Sequence, residues 1–406
     1  MTDPMELAER VREGELRLHE LEEHADPDTA TAARRRLLED ETDAGLESIG
    51  EYGFPAERAD PNVENMIGAA QIPMGIAGPV EINPTGGGAA AGEFHLPIAT
   101  TEGALIASIN RGCSTLNSAG GATARVTKSG MTRAPVFRVE DVAEAAALVE
   151  WVRENEGRLA ERAETTTSHG ELLEVTPYVV GDSVFLRFRY DTKDAMGMNM
   201  ATIATGEACD LVEEETSASL VALSGNLCTD KKPAAVNAVE GRGRSVTADV
   251  TLPRELVEER LHTTPEAMAE INTRKNHVGS AKAGSLGFNA HVANAVAGMF
   301  LATGQDAAQV VEGSNAITTA EVREEGLYVS VSIASLEVGT VGGGTKLPTQ
   351  SEALDVLGLR GGGDPPGANA DALAECIAVC ALAGELSLLA ALGSRHLSSA
   401  HADLGR

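Results

Sequence analysis

Lysine is nearly absent from this chain: seven of its 406 residues are lysine, and arginine supplies most of the 32 basic side chains. A lysine kept against that trend is a candidate for chemistry that a permanently charged guanidinium performs poorly. Two of the seven are adjacent, Lys231 and Lys232, within SGNLCTDKKPAAVNAVEGRGRS at 224–245. Asp230 precedes them and Pro233 follows, so a short loop holds an ammonium beside a carboxylate that sets its orientation and proton affinity. An ammonium so held polarises a carbonyl and stabilises the oxyanion formed when hydride adds to it. The plainer alternative is a solvated Asp-Lys pair.

Other segments carry the same ambiguity. TTEGALIASINRGC at 100–113 reads as a loop entering a helix, with Glu102 in the first turn among small and apolar residues. A carboxyl in apolar surroundings keeps its proton to higher pH and donates it near neutrality; alternatively a threonine caps the helix and Glu102 complements its dipole. In GQDAAQ at 304–309, Asp306 falls near the end of an apolar helical stretch, where the dipole disfavours a carboxylate. DAMGMN at 194–199 and Gly342, Gly343 and Gly344 offer close backbone approach to a phosphate or ring, without the spacing of a dinucleotide fingerprint. His396 and His401 stand in the last residues, where a solvated tail is the default.

These residues need elements to hold them. A 406-residue chain that is 43% hydrophobic builds two or three domains. Residues 1–63, charged and Ala/Leu-rich, read as a helical N-terminal subdomain. From Glu64 the texture turns to Gly, Pro and small apolar residues, and a large mixed α/β domain follows over 64–134 and 224–406. It contains a helix through 290–303, a strand at 327–333 and a final Ala/Leu-rich helix at 368–392. Residues 135–223 have their own rhythm: strand 136–139, helix 140–155, strands 171–180 and 183–190, helix 209–223. That order is the split βαβ plan, so the fold class is α+β with an inserted ferredoxin-like small domain.

The net charge of −29 repels phosphate backbones and anionic lipids, which excludes nucleic-acid and membrane-surface partners unless a local basic patch intervenes. An acidic, lysine-poor surface suits a halophile, where concentrated salt screens self-repulsion. Five scattered cysteines fit a reducing, cytoplasmic compartment, with Cys376 and Cys380 as buried small hydrophobes. No apolar run is expected to span a membrane.

In chain order, ENMIGAAQIPMGIAGPV at 64–80, TTEGALIASINRGC, GMTRAPVFR at 130–138, DAMGMN, the Lys231 segment, GQDAAQ and TVGGGT at 340–345 together resemble the 3-hydroxy-3-methylglutaryl-coenzyme A (HMG-CoA) reductases of the eukaryotic and archaeal class. The resemblance implies reduction of HMG-CoA to mevalonate and free CoA, with two NADPH per turnover and no metal. By it, Lys231 holds the carbonyl oxygen, Glu102 is the proton donor, Asp306 couples the two, and His401, counted back through GELSLLAALGSRHLSSAH at 384–401, protonates the departing thiolate. It also implies substrate contacts by Arg133, Ser224, Asp230, Lys232, Lys275 and Asn294, and CoA contacts by Ser108, Asn110 and Arg111. Asp194, Met196, Gly197, Met198, Asn199, Gly342, Gly343 and Gly344 match cofactor contacts.

The same resemblance implies a homodimer or dimer of dimers in which the lysine loop of one subunit completes its neighbour's site. The sequence departs from relatives at Ala69, where some carry an aromatic residue, at Ala400 before the histidine, and at Thr167, Ser168 and His169, where an arginine meets the 2′-phosphate. A regulatory serine and a membrane anchor are also not expected. Two other readings stand beside it: an NAD-dependent, mevalonate-oxidising enzyme of the family's second class, and an inactive CoA-binding module.

Overall fold

The computed structural model describes residues 3–84 and 87–394. Its strands are β1 (Met74–Asn83), β2 (Gly92–Ala99), β3 (Ala122–Arg133), β4 (Val136–Arg138), β5 (Glu171–Val180), β6 (Ser183–Asp191), β7 (Ser219–Ala222), β8 (Arg242–Pro253), β9 (Ala316–Arg323) and β10 (Gly326–Leu336). They join in one sheet along the path β7-β4-β6-β3-β8-β10-β9, with β1 beside β2 and β3, and β5 beside β6. Neighbours are antiparallel except β1 and β3. Long β3 connects the two halves, because residues 123–130 pair with β8 and residues 131–133 with β6.

Each half has its own core. Around β8 and β10 the larger core gathers Val80, Leu96, Ile109, Val246, Val296, Phe300 and Val331, while Phe137, Leu148, Leu159, Val184, Phe188 and Val212 form the second around β6. A small third cluster, Leu7, Leu21, Ala30 and Ala33, closes the N-terminal helices Pro4–Arg12 and Pro27–Thr42. Asp3 and Asp26 cap those helices, each with proline in the first turn.

The longest helix, Ala368–Gly393, runs through the larger core. Its Leu373, Ile377, Leu382, Leu386 and Leu389 are all 0% exposed, each contributing roughly 1.5–3 kcal/mol by leaving water. This helix has the length and mean apolarity of a membrane span, although Glu375 and Glu385 interrupt its apolar run, and 83% of its most apolar window is packed inside the protein. Its two inward carboxylates answer orphaned donors. Glu375 accepts the amides of Ala90 at 2.6 Å and Val126 at 3.0 Å. Glu385 accepts those of Ala290 at 2.8 Å and His291 at 2.7 Å and the Thr318 hydroxyl at 2.7 Å. All five cysteines are buried and free.

Four expectations change. The helix expected at 209–223 is Met198–Glu215, begun by Gly197 at φ +87°; it ends where Ser219–Ala222 leaves to pair with β4. A second helix, Glu156–Glu164, follows Val142–Glu154 after a break at Asn155. Glu102 precedes its helix, Leu105–Ser118, whose N-cap is Ala104 in the left-handed region at φ +67°. The helix expected through 290–303 is the 12-residue Val292–Thr303.

Candidate active site

The lysine loop is a run of tight turns. Asn226, Thr229 and Lys231 all adopt positive φ, at 63°, 52° and 59°, each costing on the order of 1–2 kcal/mol that the surroundings must offset. The Gly225 amide donates to Ala134 O at 2.6 Å, and the Glu312 carboxylate accepts the Lys231 amide. So held, Lys231 Nζ lies 2.9 Å from Asp306 Oδ2. Asp306 is fixed in turn, its Oδ1 accepting the Ala308 amide at 3.0 Å. The hydrogen bond to Asp306, ahead of the opposing effect of burial, raises the Lys231 ammonium above its usual pKa. The Lys231 and Asp306 side chains are 45% and 30% exposed, so the described residues leave the pair open on one side.

Around this pair the glycine motifs converge. Gln305 Nε2 donates to Gly339 O at 3.0 Å and its Oε1 accepts the Gly339 amide at 2.9 Å. The Thr340 amide donates to Asp194 O at 2.8 Å, and Ala195 bridges Val341. GQDAAQ, TVGGGT and DAMGMN are therefore one contiguous surface. Gly342 and Gly343, at φ +81° and +49°, have nothing within 4 Å of where a Cβ would stand, which is the open backbone a planar cofactor ring can approach. Asp194 itself is 5% exposed, and its carboxylate accepts the amides of Gly363, Gly367 and Ala370 at 2.9, 2.7 and 3.1 Å. It anchors the motif to the loop before the central helix, with its oxygens already engaged.

Asp230 is likewise engaged. Its Oδ1 meets Arg242 at 3.1 Å and Gln309 Nε2 at 3.1 Å, while Lys232 is exposed and donates to Asp230 O at 3.0 Å. Ser224 and half-buried Arg133 stand on either side of the 134–225 contact.

A second group lies elsewhere. Ser108 Oγ is 2.8 Å from Ser387 Oγ, and Arg111 Nε and Nη2 donate to Ser387 Oγ at 3.0 and 2.7 Å. Asn110 Oδ1 accepts the Gly78 amide at 3.0 Å. Asn294 Nδ2 is 3.5 Å from His291 Nδ1. Lys275 projects from a π-helix, Asn272–Gly279, pinned by buried Asn272 and Asn276 and by His277 on Thr318 O; such turns are common where function needs an unusual presentation. Glu102 is exposed, its amide donating to Thr100 Oγ1 at 3.0 Å, and among the described residues the ion-pair partner of Lys231 is Asp306, not Glu102. The apolar enclosure expected for Glu102 is thus not built by the described residues. His401 lies outside the described residues, as do His396 and Ala400.

Arg242, Gln309, Glu312 and Glu337, which cluster beneath the loop, were not singled out in the sequence. Arg242 is one ordinary arginine among many there, and no spacing rule ties Glu312 or Glu337 to position 231.

A two-core mixed α/β fold with an Asp-paired lysine beside glycine turns of open backbone suits an oxidoreductase that reduces a carbonyl. Comparison with known proteins narrows this: residues 30–406 match the hydroxymethylglutaryl-coenzyme A reductase family, and the chain belongs to that family. It is 76% identical over 406 residues to the 3-hydroxy-3-methylglutaryl-coenzyme A reductase of Haloferax volcanii, covering 100% of both chains. With that of Halobacterium salinarum it shares 70% over 405 residues, covering 100% of this chain and 99% of the relative. With that of Pyrococcus abyssi it shares 53%, covering 99% of each. The fold is similar to the class II HMG-CoA reductase of Streptococcus pneumoniae solved with NADPH, at TM-score 0.67 and 20% identity over 88% of this chain and 96% of that one.

Proposed function

We propose that this chain reduces HMG-CoA to mevalonate and CoA, consuming two NADPH, as a soluble cytoplasmic enzyme of isoprenoid biosynthesis. The observation that carries the reading is the Lys231–Asp306 pair at 2.9 Å inside a chain that is 76% identical to a reductase over its whole length. The inactive-module reading is disfavoured because acid, lysine, carboxylate and histidine are all in the sequence. The oxidative reading is disfavoured by the reductases among its relatives.

Lys231 would hold the thioester carbonyl oxygen and, in the second reduction, the aldehyde oxygen, stabilising each oxyanion. Asp306 keeps the ammonium charged and aimed. Glu102 would supply a proton and His401 would protonate the CoA thiolate. When bound, NADPH supplies hydride; Met196, Gly197, Met198, Asn199, Gly342, Gly343 and Gly344 would line its site, with Asp194 holding that turn in place. Arg133, Ser224, Lys232, Lys275 and Asn294 would orient the HMG group, and Ser108, Asn110 and Arg111 the CoA. The strand order β7-β4-β6-β5 with its helices supports reading 135–223 as an inserted ferredoxin-like domain between 64–134 and 224–406, with 1–63 as the helical subdomain.

The site is shared between subunits in a homodimer or dimer of dimers. Two facts support this: Glu102 is exposed and unpaired with Lys231, and Asn294 sits in the first turn of a 12-residue helix while Asp306 lies beyond its other end, on the order of 14 Å of helical rise away. Mixing Lys231→Ala with Glu102→Gln subunits tests it. With random pairing, half of the dimers are mixed and each holds one intact site, so about a quarter of wild-type activity returns. No recovery after verified subunit exchange rejects sharing.

A further inference from the structure

Beneath the lysine loop lies a buried charge cluster that none of these steps uses. Arg242, at the start of β8, has a side chain 0% exposed and meets Asp230 at 3.1 Å, Glu337 at 3.2 Å and Glu312 at 3.7 Å. Its Nη2 also lies 2.8 Å from the Met198 sulfur, at the first residue of the helix that follows the DAMGMN turn. Glu312 accepts the Lys231 amide and Gln309 braces Asp230. The cluster therefore touches the lysine backbone, the residue before it and the cofactor motif at once.

Its composition is unbalanced. Three carboxylates face one guanidinium, and Arg242 Nε, Glu312 Oε2 and Glu337 Oε2 have no partner. Burial pushes Glu312 upward and Glu337 up to about 8. A dry interior does not hold that many anions on one cation, so it retains a proton.

We propose that Arg242 and Glu312 are positioning residues for Lys231, fixing its left-handed backbone through the amide and Asp230 and registering the loop against Met198 in the cofactor motif. Glu337, faced by Arg242 and Glu312, balances the charge in its protonated form; Arg187, bonded to Gly241 O at 2.8 Å, is the next cation along. This rests on the reading of Lys231 as the group that polarises the substrate carbonyl.

The test pairs Glu312→Leu, which removes the acceptor at similar volume, with Glu312→Gln, which keeps a carbonyl acceptor. Glu312→Leu is expected to lower kcat with HMG-CoA by about tenfold or more while KM for NADPH and affinity for free CoA stay within about twofold, and Glu312→Gln to restore kcat to within about threefold of wild type. A wild-type kcat in Glu312→Leu, or equal losses in both variants, overturns the proposal. Should Glu312→Leu fail to fold, kcat against pH decides. Turnover of the wild type is expected to fall as pH rises through about 8, when Glu337 ionises and draws Arg242 off Asp230. In Glu337→Gln that limb should be displaced; coincident profiles also overturn the proposal. An inactive wild type would instead sink the reductase reading, and this proposal with it.

Discussion

Lys231 is held by two neighbours of different kinds. Asp306 holds the head group at 2.9 Å and raises its pKa. For a lysine raised in this way, the stabilising interaction is complete below its unfolded pKa and is lost only as pH climbs through the folded value, so the ammonium is intact throughout the neutral range. Glu312 holds the backbone instead, which is why a scan for chemistry-bearing types finds Asp306 and misses Glu312. On the proposed roles His401 would carry a separable step, because only the thioester expels a thiolate that needs a proton. His401→Gln is therefore expected to depress HMG-CoA reduction by about a hundredfold while reduction of free mevaldehyde falls less than about fivefold, the range typical of losing a general acid. Equal losses on the two substrates would remove the histidine from that role.

At the scale of elements, the site is a junction of turns. The run Asp194 to Asn199 rests on Gly339, where an added Cβ would stand 2.4 Å from Met196 N and 2.9 Å from Asp194 O. Gly339→Ala must push those turns apart, costing on the order of 1–3 kcal/mol. We expect a raised KM for NADPH and a lowered Tm, with KM for HMG-CoA moved far less; an unchanged KM for NADPH would detach this contact from the cofactor. The glycines of both motifs were legible as places of close approach. That Gly339, outside both motifs, meets the backbone of residues 194–196 was not legible, since the two segments meet only because β10 delivers the second beside the end of β6. Helix Met198–Glu215 was misplaced for a related reason: its Ala/Thr-rich first turns carry little amphipathic signal, and their burial is set by the second core.

The whole molecule carries a net charge of −29. At about 0.1 M salt the Debye length is roughly 10 Å and surface carboxylates repel one another; at about 1 M it is roughly 3 Å and they do not. Activity and Tm are expected to rise together between about 0.1 and 2 M KCl, read by thermal melts and NADPH oxidation. A steady decline over that range would contradict a surface built for salt.

Residue types and their spacing marked out candidate side chains, because a scarce lysine, an acid in a glycine-rich loop entry and glycine runs are local properties of the chain; only the resemblance of the motifs attached roles to them. They also located the strand rhythm of 135–223, since a period of two needs no distant partner to be visible. Tertiary structure decided which of those groups meet. It placed Lys231 on Asp306 across 75 residues, assigned Asp194 to anchoring the motif, and set Arg242 among three carboxylates under the loop. Contacts between distant segments depend on which faces of the sheet and helices are buried together, and no local pattern encodes that.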